Sequence, residues 1–201
     1  MNGGTGYTNT MINMHKPKLS FHFPTVIGYI ENPHFANRIL PAIESILDDE
    51  TNLTNAWNYK NTYDPKESLQ LNELKDYIIK IAKNFLNDQG YDSEPLNLEP
   101  QIFASQMYEG DRHGRHCHPG SLLSGVYYLK VPEGSAEIMF YDPRPAKDIL
   151  NIPRKESTEV NRTDIKIQPK QGTLLIWESW IHHEVLYNHS KDARTTVVFN
   201  I

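Results

Sequence analysis

The chain has 201 residues, 38% apolar and 22% charged, which predicts one soluble globular domain. Its net charge of −5 argues against a broadly basic surface, so we expect no nucleic-acid partner. Cys117 is the only cysteine, which excludes an internal disulfide and a thiolate metal cluster and favours a cytoplasmic location. No apolar run reaches the ~18 residues of a membrane span, so we expect no membrane contact. The oligomeric state stays open, a homodimer included.

The first third of the chain predicts a leader, a strand and a helix. Residues 1–18 are polar and contain glycine, so we predict a flexible leader before one domain over residues 19–201. An alternating aromatic and β-branched run over residues 19–30, broken by Pro24, indicates an edge strand. Asn32-Pro33 is typical of a helix start, and Pro41 predicts a kink or a second start. The apolar residues with helical spacing are Phe35, Ile39, Ile43 and Ile46.

A second helix and a series of strands follow. Residues 50–67 lack periodicity and predict a loop, whereas a helix should begin near Ser68 and end before Gly90. Its apolar stripe consists of Leu71, Leu74, Ile78, Ile81 and Phe85. Seven short strands are then predicted, at Ile102–Tyr108, Leu122–Val131, Ala136–Tyr141, Ile165–Gln168, Thr173–Trp177, Glu184–Tyr187 and Thr195–Ile201. This order predicts an α+β protein that is mainly β, a jelly roll with the helices packed on one sheet.

Histidines mark the candidate site. His116 and His118 are two residues apart, so in an extended strand both would face one side and could bind one metal ion. His183 opens a distant predicted strand and could supply a third ligand. His113 and His182 are interpreted as solvent-facing or supporting histidines. An isolated His-x-His pair is also common on surfaces without any metal.

Motifs in a fixed order strengthen the metal hypothesis. They are His116-Cys-His118-Pro-Gly-Ser121, Ser124-Gly-Val-Tyr-Tyr128, Phe140-Tyr-Asp142-Pro-Arg144 and Arg194-Thr-Thr196-Val-Val-Phe-Asn200. The chain resembles the 2-oxoglutarate/Fe(II)-dependent oxygenase superfamily over roughly residues 19–201. Its motifs are most similar to a subfamily frequent in marine bacteria and their phages. The resemblance implies a double-stranded β-helix, the jelly roll of cupins.

The resemblance also implies the roles of individual residues. His116, His118 and His183 would bind Fe(II), and Arg194 would bind the far carboxylate of the cosubstrate 2-oxoglutarate. Thr196, Tyr128 and Ser124 are candidates for further contacts with 2-oxoglutarate; strand alternation favours Tyr128 over Tyr127.

His118 departs from the superfamily pattern, which has a carboxylate at this position. Three neutral imidazoles compensate less of the charge on Fe(II), so metal binding should be weaker than at a site with a carboxylate. Asp142, Asp111 or Glu184 could still provide the third ligand, although Asp142 is expected to begin a turn.

The resemblance implies hydroxylation of a substrate, with release of succinate and CO₂. The sequence does not say whether that substrate is a small molecule or a peptide. Two alternatives stay open. A cupin-like dioxygenase could use the three histidines without 2-oxoglutarate, and a non-catalytic jelly-roll module could bind a metal or none.

Overall fold

A computed structural model describes residues 18, 20, 22–54, 58–62, 65, 68–144, 149 and 152–201. Nearly all of the leader predicted over residues 1–18 lies outside the described residues, so that prediction stays a prediction. The same holds for the single domain over 19–201. Between the predicted strands Ala136–Tyr141 and Ile165–Gln168, positions 145–148, 150 and 151 also lie outside the described residues.

Two helices precede most of the strands, as predicted. Helix α1 covers Pro33–Asp48, and the side chain of Asn32 accepts a hydrogen bond from the amide of Phe35 at 3.1 Å. It continues as one helix through the exposed Pro41, so the second start considered above is wrong. Helix α2 covers Leu69–Asp88, is capped by Ser68, and ends before Gly90 at φ 87°. Within the described residues, neither helix is long and apolar enough to cross a membrane.

All seven strands predicted after residue 100 are present, with ends shifted by at most two residues. The strands among the described residues are β1 Ile27–Glu31, β2 Lys60–Asn61, β3 Gln101–Met107, β4 His113–His116, β5 Leu123–Lys130, β6 Ile138–Tyr141, β7 Asp164–Ile167, β8 Thr173–Glu178, β9 His183–Val185 and β10 Arg194–Asn200. The first strand is shorter than the predicted run 19–30. Residues 22–26 are not paired in a sheet, because Pro24 lacks the amide hydrogen that strand pairing requires. Strands β2 and β4 were not predicted, and a short 3₁₀ helix covers Glu50–Asn52.

The strands form two antiparallel sheets. The six-stranded sheet has the order β1-β8-β5-β10-β3-β2, and the four-stranded sheet has the order β4-β9-β6-β7. Two such sheets with helices on one of them make the double-stranded β-helix that was expected. The large apolar core lies between the helices and the six-stranded sheet, and a smaller one lies between the two sheets.

Strand β5 separates the two cores. Tyr127 belongs to the helix side, where its hydroxyl donates to the carbonyl of Asn32 at 2.7 Å, whereas Tyr128 faces the space between the sheets. Gly125 lies in the same strand, at a point where β5 is closely approached by its two neighbours β8 and β10. A Cβ at Gly125 would overlap the ring of Phe199 and lie 2.5 Å from the carbonyl oxygen of Leu175, so no larger residue fits there without movement.

Candidate metal centre

Three histidines converge at one edge of the four-stranded sheet. One ring nitrogen each of His116, His118 and His183 lies within 4.8 Å of the others. The Nε2 atoms of His118 and His183 are 3.4 Å apart. Imidazole nitrogens at this spacing suit a single first-row metal ion.

Strand pairing brings two of the three histidines together. His116 ends β4 and stands opposite His183, the first residue of β9. His118 lies beyond the end of β4, and its amide donates to the carbonyl of Ser179 at 2.9 Å. The expectation that one extended strand presents His116 and His118 on the same face is therefore wrong. The turn after β4 places His118 instead.

Backbone carbonyls orient two of the rings. The Nδ1 atom of His116 lies 2.7 Å from the carbonyl oxygen of Gly114, and the Nδ1 atom of His183 lies 2.9 Å from that of Ile181. Because a carbonyl oxygen only accepts hydrogen bonds, each Nδ1 must carry the proton and donate it. This leaves the Nε2 lone pairs for a metal ion, as is usual for histidine ligands whose other nitrogen is hydrogen-bonded.

Burial keeps the three rings neutral. It lowers the pKa of His118 to about 4 and that of His183 to about 3, and it also lowers the pKa of His116. The neighbouring imidazoles lower the pKa of His118 and His183 further, since each would repel a second positive charge. A neutral imidazole is the form that binds metal. Near pH 7 the three side chains can therefore bind a metal ion without first releasing a proton.

The carboxylates considered as alternative ligands are engaged elsewhere. Asp142 forms an ion pair with Arg144 at 2.6 Å. Glu184 accepts a hydrogen bond from the hydroxyl of Tyr141 at 2.7 Å, and Asp111 accepts one from a backbone amide at 2.7 Å. None of the three belongs to the histidine group. The arrangement thus favours His118 as the third ligand.

A cavity of about 150 Å³ extends from the histidines between the two sheets. Arg194 lines it and is only 2% exposed. Its guanidinium carbon lies 5.0 Å from the ring centre of Tyr128, and one terminal nitrogen lies 3.0 Å from the sulfur of Met107. Its Nε atom has no hydrogen-bond partner, and no carboxylate among the described residues forms an ion pair with it.

The remaining predicted site residues differ in position. Tyr128 and Thr196 line the cavity, and among the described residues no group forms a hydrogen bond of good geometry with the buried hydroxyl of Tyr128. Thr196 shares a hydrogen bond of 2.8 Å with Ser105. Ser124 is not among the lining residues; its hydroxyl contacts Ser179 at 2.9 Å and Asn200 at 2.8 Å. The contact between Ser124 and 2-oxoglutarate stays a prediction, and the position of Ser124 outside the cavity lining does not support it.

Two further polar residues, Tyr59 and His113, also line the cavity. Tyr59 was not predicted as part of the site, and the position of His113 agrees with the supporting role considered for it rather than with a solvent-facing one. Their side chains meet at 2.7 Å, from Tyr59 Oη to His113 Nδ1. Tyr59 falls in the segment predicted to be a loop, 54 residues away from its partner. The only available signal was that His113 stands three residues before a candidate ligand.

The chemistry of the donor set fits a divalent metal and an anionic ligand. Three neutral imidazoles are suitable ligands for Fe(II). A buried guanidinium without a carboxylate carries a large desolvation cost, which a bound carboxylate would offset. The unpartnered donors on Arg194 and Tyr128 fit a ligand that brings oxygen acceptors into the cavity.

Comparisons with known proteins give a family match and a shared fold. Residues 101–200 match the model of a family described as "Putative 2OG-Fe(II) oxygenase", where 2OG is 2-oxoglutarate. This segment contains the three histidines, Arg194 and the strands β3–β10. No curated protein matches the sequence.

Several solved structures share the fold. A Pseudomonas putida prolyl-4-hydroxylase is 13% identical with a TM-score of 0.60, and the match covers 88% of this chain and 91% of that one. A prolyl hydroxylase from Trichoplax adhaerens, solved with a hypoxia inducible factor peptide fragment, is 12% identical with a TM-score of 0.62, covering 87% and 82%. HygX from Streptomyces hygroscopicus, with nickel and 2-oxoglutarate bound, is 11% identical with a TM-score of 0.58, covering 88% and 82%. These likenesses show the double-stranded β-helix fold.

Proposed function

Through residues 101–200 this chain belongs to the 2OG-Fe(II) oxygenase family, and we propose that its iron centre is formed by His116, His118 and His183. The chain is accordingly an oxidoreductase that uses Fe(II) and 2-oxoglutarate. The observation that carries the proposed centre is the convergence of three neutral imidazoles at a cavity that also contains a buried, unpaired arginine.

The three histidines would hold the metal through their Nε2 atoms. His116 and His183 are already oriented for this by hydrogen bonds to backbone carbonyls. The rings of Trp177 and Phe140, at 4.8 and 5.8 Å from the ring of His183, keep that side of the centre apolar. When bound, Fe(II) and 2-oxoglutarate supply the oxidising power for hydroxylation by O₂, with release of succinate and CO₂.

Arg194 would bind the far carboxylate of 2-oxoglutarate. Its planar guanidinium can donate two parallel hydrogen bonds, and its burial makes such an ion pair stronger than on a surface. The hydroxyl of Tyr128 can accept or donate a further hydrogen bond in the same cavity, and Thr196 lies on the same strand face as Arg194. The cavity of about 150 Å³ is lined by the three histidines and by Arg194 together.

The substrate class is open between a small molecule and a peptide, and neither fold nor family chooses between them. With a net charge of −5 we propose no nucleic-acid partner. The unpaired Cys117 supports a location in the reducing cytoplasm. We propose no membrane association, and a homodimer remains compatible with the fold.

Anaerobic titration of the protein with Fe(II) and then 2-oxoglutarate tests the proposal. A visible charge-transfer band from the chelated keto acid is expected. His183→Ala should abolish the band, and Arg194→Ala should require a much higher 2-oxoglutarate concentration for the same band. His34→Ala serves as the control, because His34 is exposed on α1 and should leave the titration unchanged.

Three outcomes would contradict the proposal. Binding of Fe(II) without any band on adding 2-oxoglutarate would favour the cupin-like alternative. An Arg194→Ala variant with an unchanged 2-oxoglutarate requirement would remove the role assigned to Arg194. Absence of Fe(II) binding in the unaltered protein would favour a non-catalytic module.

A further inference from the structure

His113 packs directly against a proposed ligand. Its ring is stacked on that of His116, with the centroids 4.0 Å apart and the planes inclined by 19°. Side chains three residues apart in a regular strand point to opposite faces. The pairing of β4 with β9 changes register between His113 and His116, and this irregularity brings the two rings together.

Tyr59 fixes the position of His113 from the other sheet. Its hydroxyl lies 2.7 Å from Nδ1 of His113. Tyr59 directly precedes β2 at the edge of the six-stranded sheet, whereas His113 opens β4 at the edge of the four-stranded sheet. Burial raises the pKa of Tyr59 to about 12, so the phenol stays protonated and can donate this hydrogen bond. The pair therefore links the two sheets beside the cavity.

His116 has fewer other constraints than His183. His183 is 4% exposed and packs against Trp177 and Phe140 of the core between the sheets. His116 ends an edge strand of four residues. The strand is loosely packed two residues earlier, because a Cβ added at Gly114 would meet no atom within 4 Å. Apart from the other proposed ligands, the ring contact with His113 and the hydrogen bond to Gly114 hold its imidazole.

We propose that Tyr59 and His113 form a positioning pair that holds the ring of His116 in the orientation needed for metal binding. The inference rests on the function proposed above, since it requires a metal at the three histidines. Neither residue of the pair is a ligand in this assignment, because His113 lies outside the group of three nitrogens. Both act through His116.

The proposal predicts specific changes in metal affinity. Loss of groups that orient histidine ligands typically weakens metal binding about 10- to 100-fold, and we expect His113→Ala to fall in this range. His113→Phe keeps a flat ring against His116 and should recover most of the loss. Tyr59→Phe removes only the hydroxyl and should weaken binding less than His113→Ala does. The double variant Tyr59→Phe/His113→Ala should be no weaker than His113→Ala alone, because both changes break one arrangement.

Titration of the metal-free protein with Co(II) measures these effects, with the visible ligand-field bands reporting affinity and coordination geometry together. The bands of His113→Ala at saturation should differ from those of the unaltered protein, which loss of overall stability would not cause. Matched controls are Tyr29→Phe and His34→Ala, both at exposed positions away from the centre. Circular dichroism confirms folding, and if His113→Ala does not fold, Tyr59→Phe decides the test.

The outcomes separate this inference from the proposed function. If the unaltered protein binds no Co(II), both are overturned. If it binds Co(II) and the variants of Tyr59 and His113 match it in affinity and spectrum, only the positioning pair is overturned. Equal and additive losses from the two single changes would also overturn it, because they would show that Tyr59 does not act through His113.

Discussion

The two sheets of this protein differ in the size of the apolar core they cover and in whether they carry proposed metal ligands. The six-stranded sheet is covered by both helices, and among the described residues its core contains 22 buried ones, including Ile39 and Ile78. The core between the sheets contains seven of the described residues. The four-stranded sheet consists of strands of three or four residues, yet it carries His116 and His183.

This difference indicates where stability and metal binding originate. Apolar burial supplies most of the free energy of folding, so the helix-covered sheet should dominate stability. The short strands of the four-stranded sheet bury less apolar surface, and some of their side chains line the cavity instead of packing in a core. A change in one region should therefore leave the property of the other nearly intact.

Metal binding should have a large effect on stability. Saturating Co(II) should raise the free energy of unfolding of the unaltered protein, by about 2.7 kcal/mol at a free concentration 100 times the Kd. His183→Ala should gain no such stabilisation, because only two of the three imidazoles remain. Urea unfolding with and without Co(II) measures the difference. An equal gain in the variant would show that the metal binds elsewhere.

A substitution in the helix-covered core should change stability and leave metal binding intact. Ile78 is fully buried in α2, so Ile78→Ala should lower the free energy of unfolding by about 2–5 kcal/mol. Leu69→Ala at the exposed start of α2 is the control, and its effect should stay within about 0.5 kcal/mol. Under conditions where Ile78→Ala is folded, its Co(II) affinity should equal that of the unaltered protein. A large loss of affinity would contradict the separation of the two regions.

A smaller effect is expected when a carboxylate replaces the third imidazole. His118→Asp would bring a negative charge to the centre and should increase the affinity for Fe(II) by about tenfold, equivalent to roughly 1.4 kcal/mol. Anaerobic competition with a chelator of known affinity measures this. A variant that binds Fe(II) more weakly would show that charge compensation does not limit this centre.

The smallest expected effect lies on the outer face of the four-stranded sheet. Tyr141 donates to Glu184 there, and Arg115 stacks on its ring at 3.9 Å. Tyr141→Phe should lower the free energy of unfolding by at most about 1 kcal/mol and leave the Co(II) affinity unchanged. Chemical denaturation and metal titration check both values. A several-fold loss of affinity would mean that this face also shapes the metal centre.

The sequence predicted the elements in which one physical preference dominates. The apolar stripe of α2 and the capping residues Asn32 and Ser68 define both helices well. The strands after residue 100 are rich in β-branched and aromatic residues, and all seven were found. The sequence His113-Gly-Arg-His116 has neither feature, so β4 is specified by its pairing with β9 and was missed.

The site was predictable in its members more than in its geometry. Motif order singled out the three histidines and Arg194, and the structure brings them around one cavity. A supporting role was considered for His113, but the register change in β4 leaves no sequence pattern, so the stacking of its ring on that of His116 could not be predicted. The contact between Tyr59 and His113 joins residues 54 positions apart, which no local pattern reports.

The close approach of strands at Gly125 has a consequence for tracing distant relatives of this molecule. The glycine of the segment Ser124-Gly-Val-Tyr-Tyr128 is required because a side chain there would collide with Phe199 and with the backbone of Leu175. A match to that segment is therefore a sign of a shared barrel, whatever reaction the barrel supports. A chain that keeps this glycine but lacks the histidines would inherit the architecture and not the oxygen chemistry.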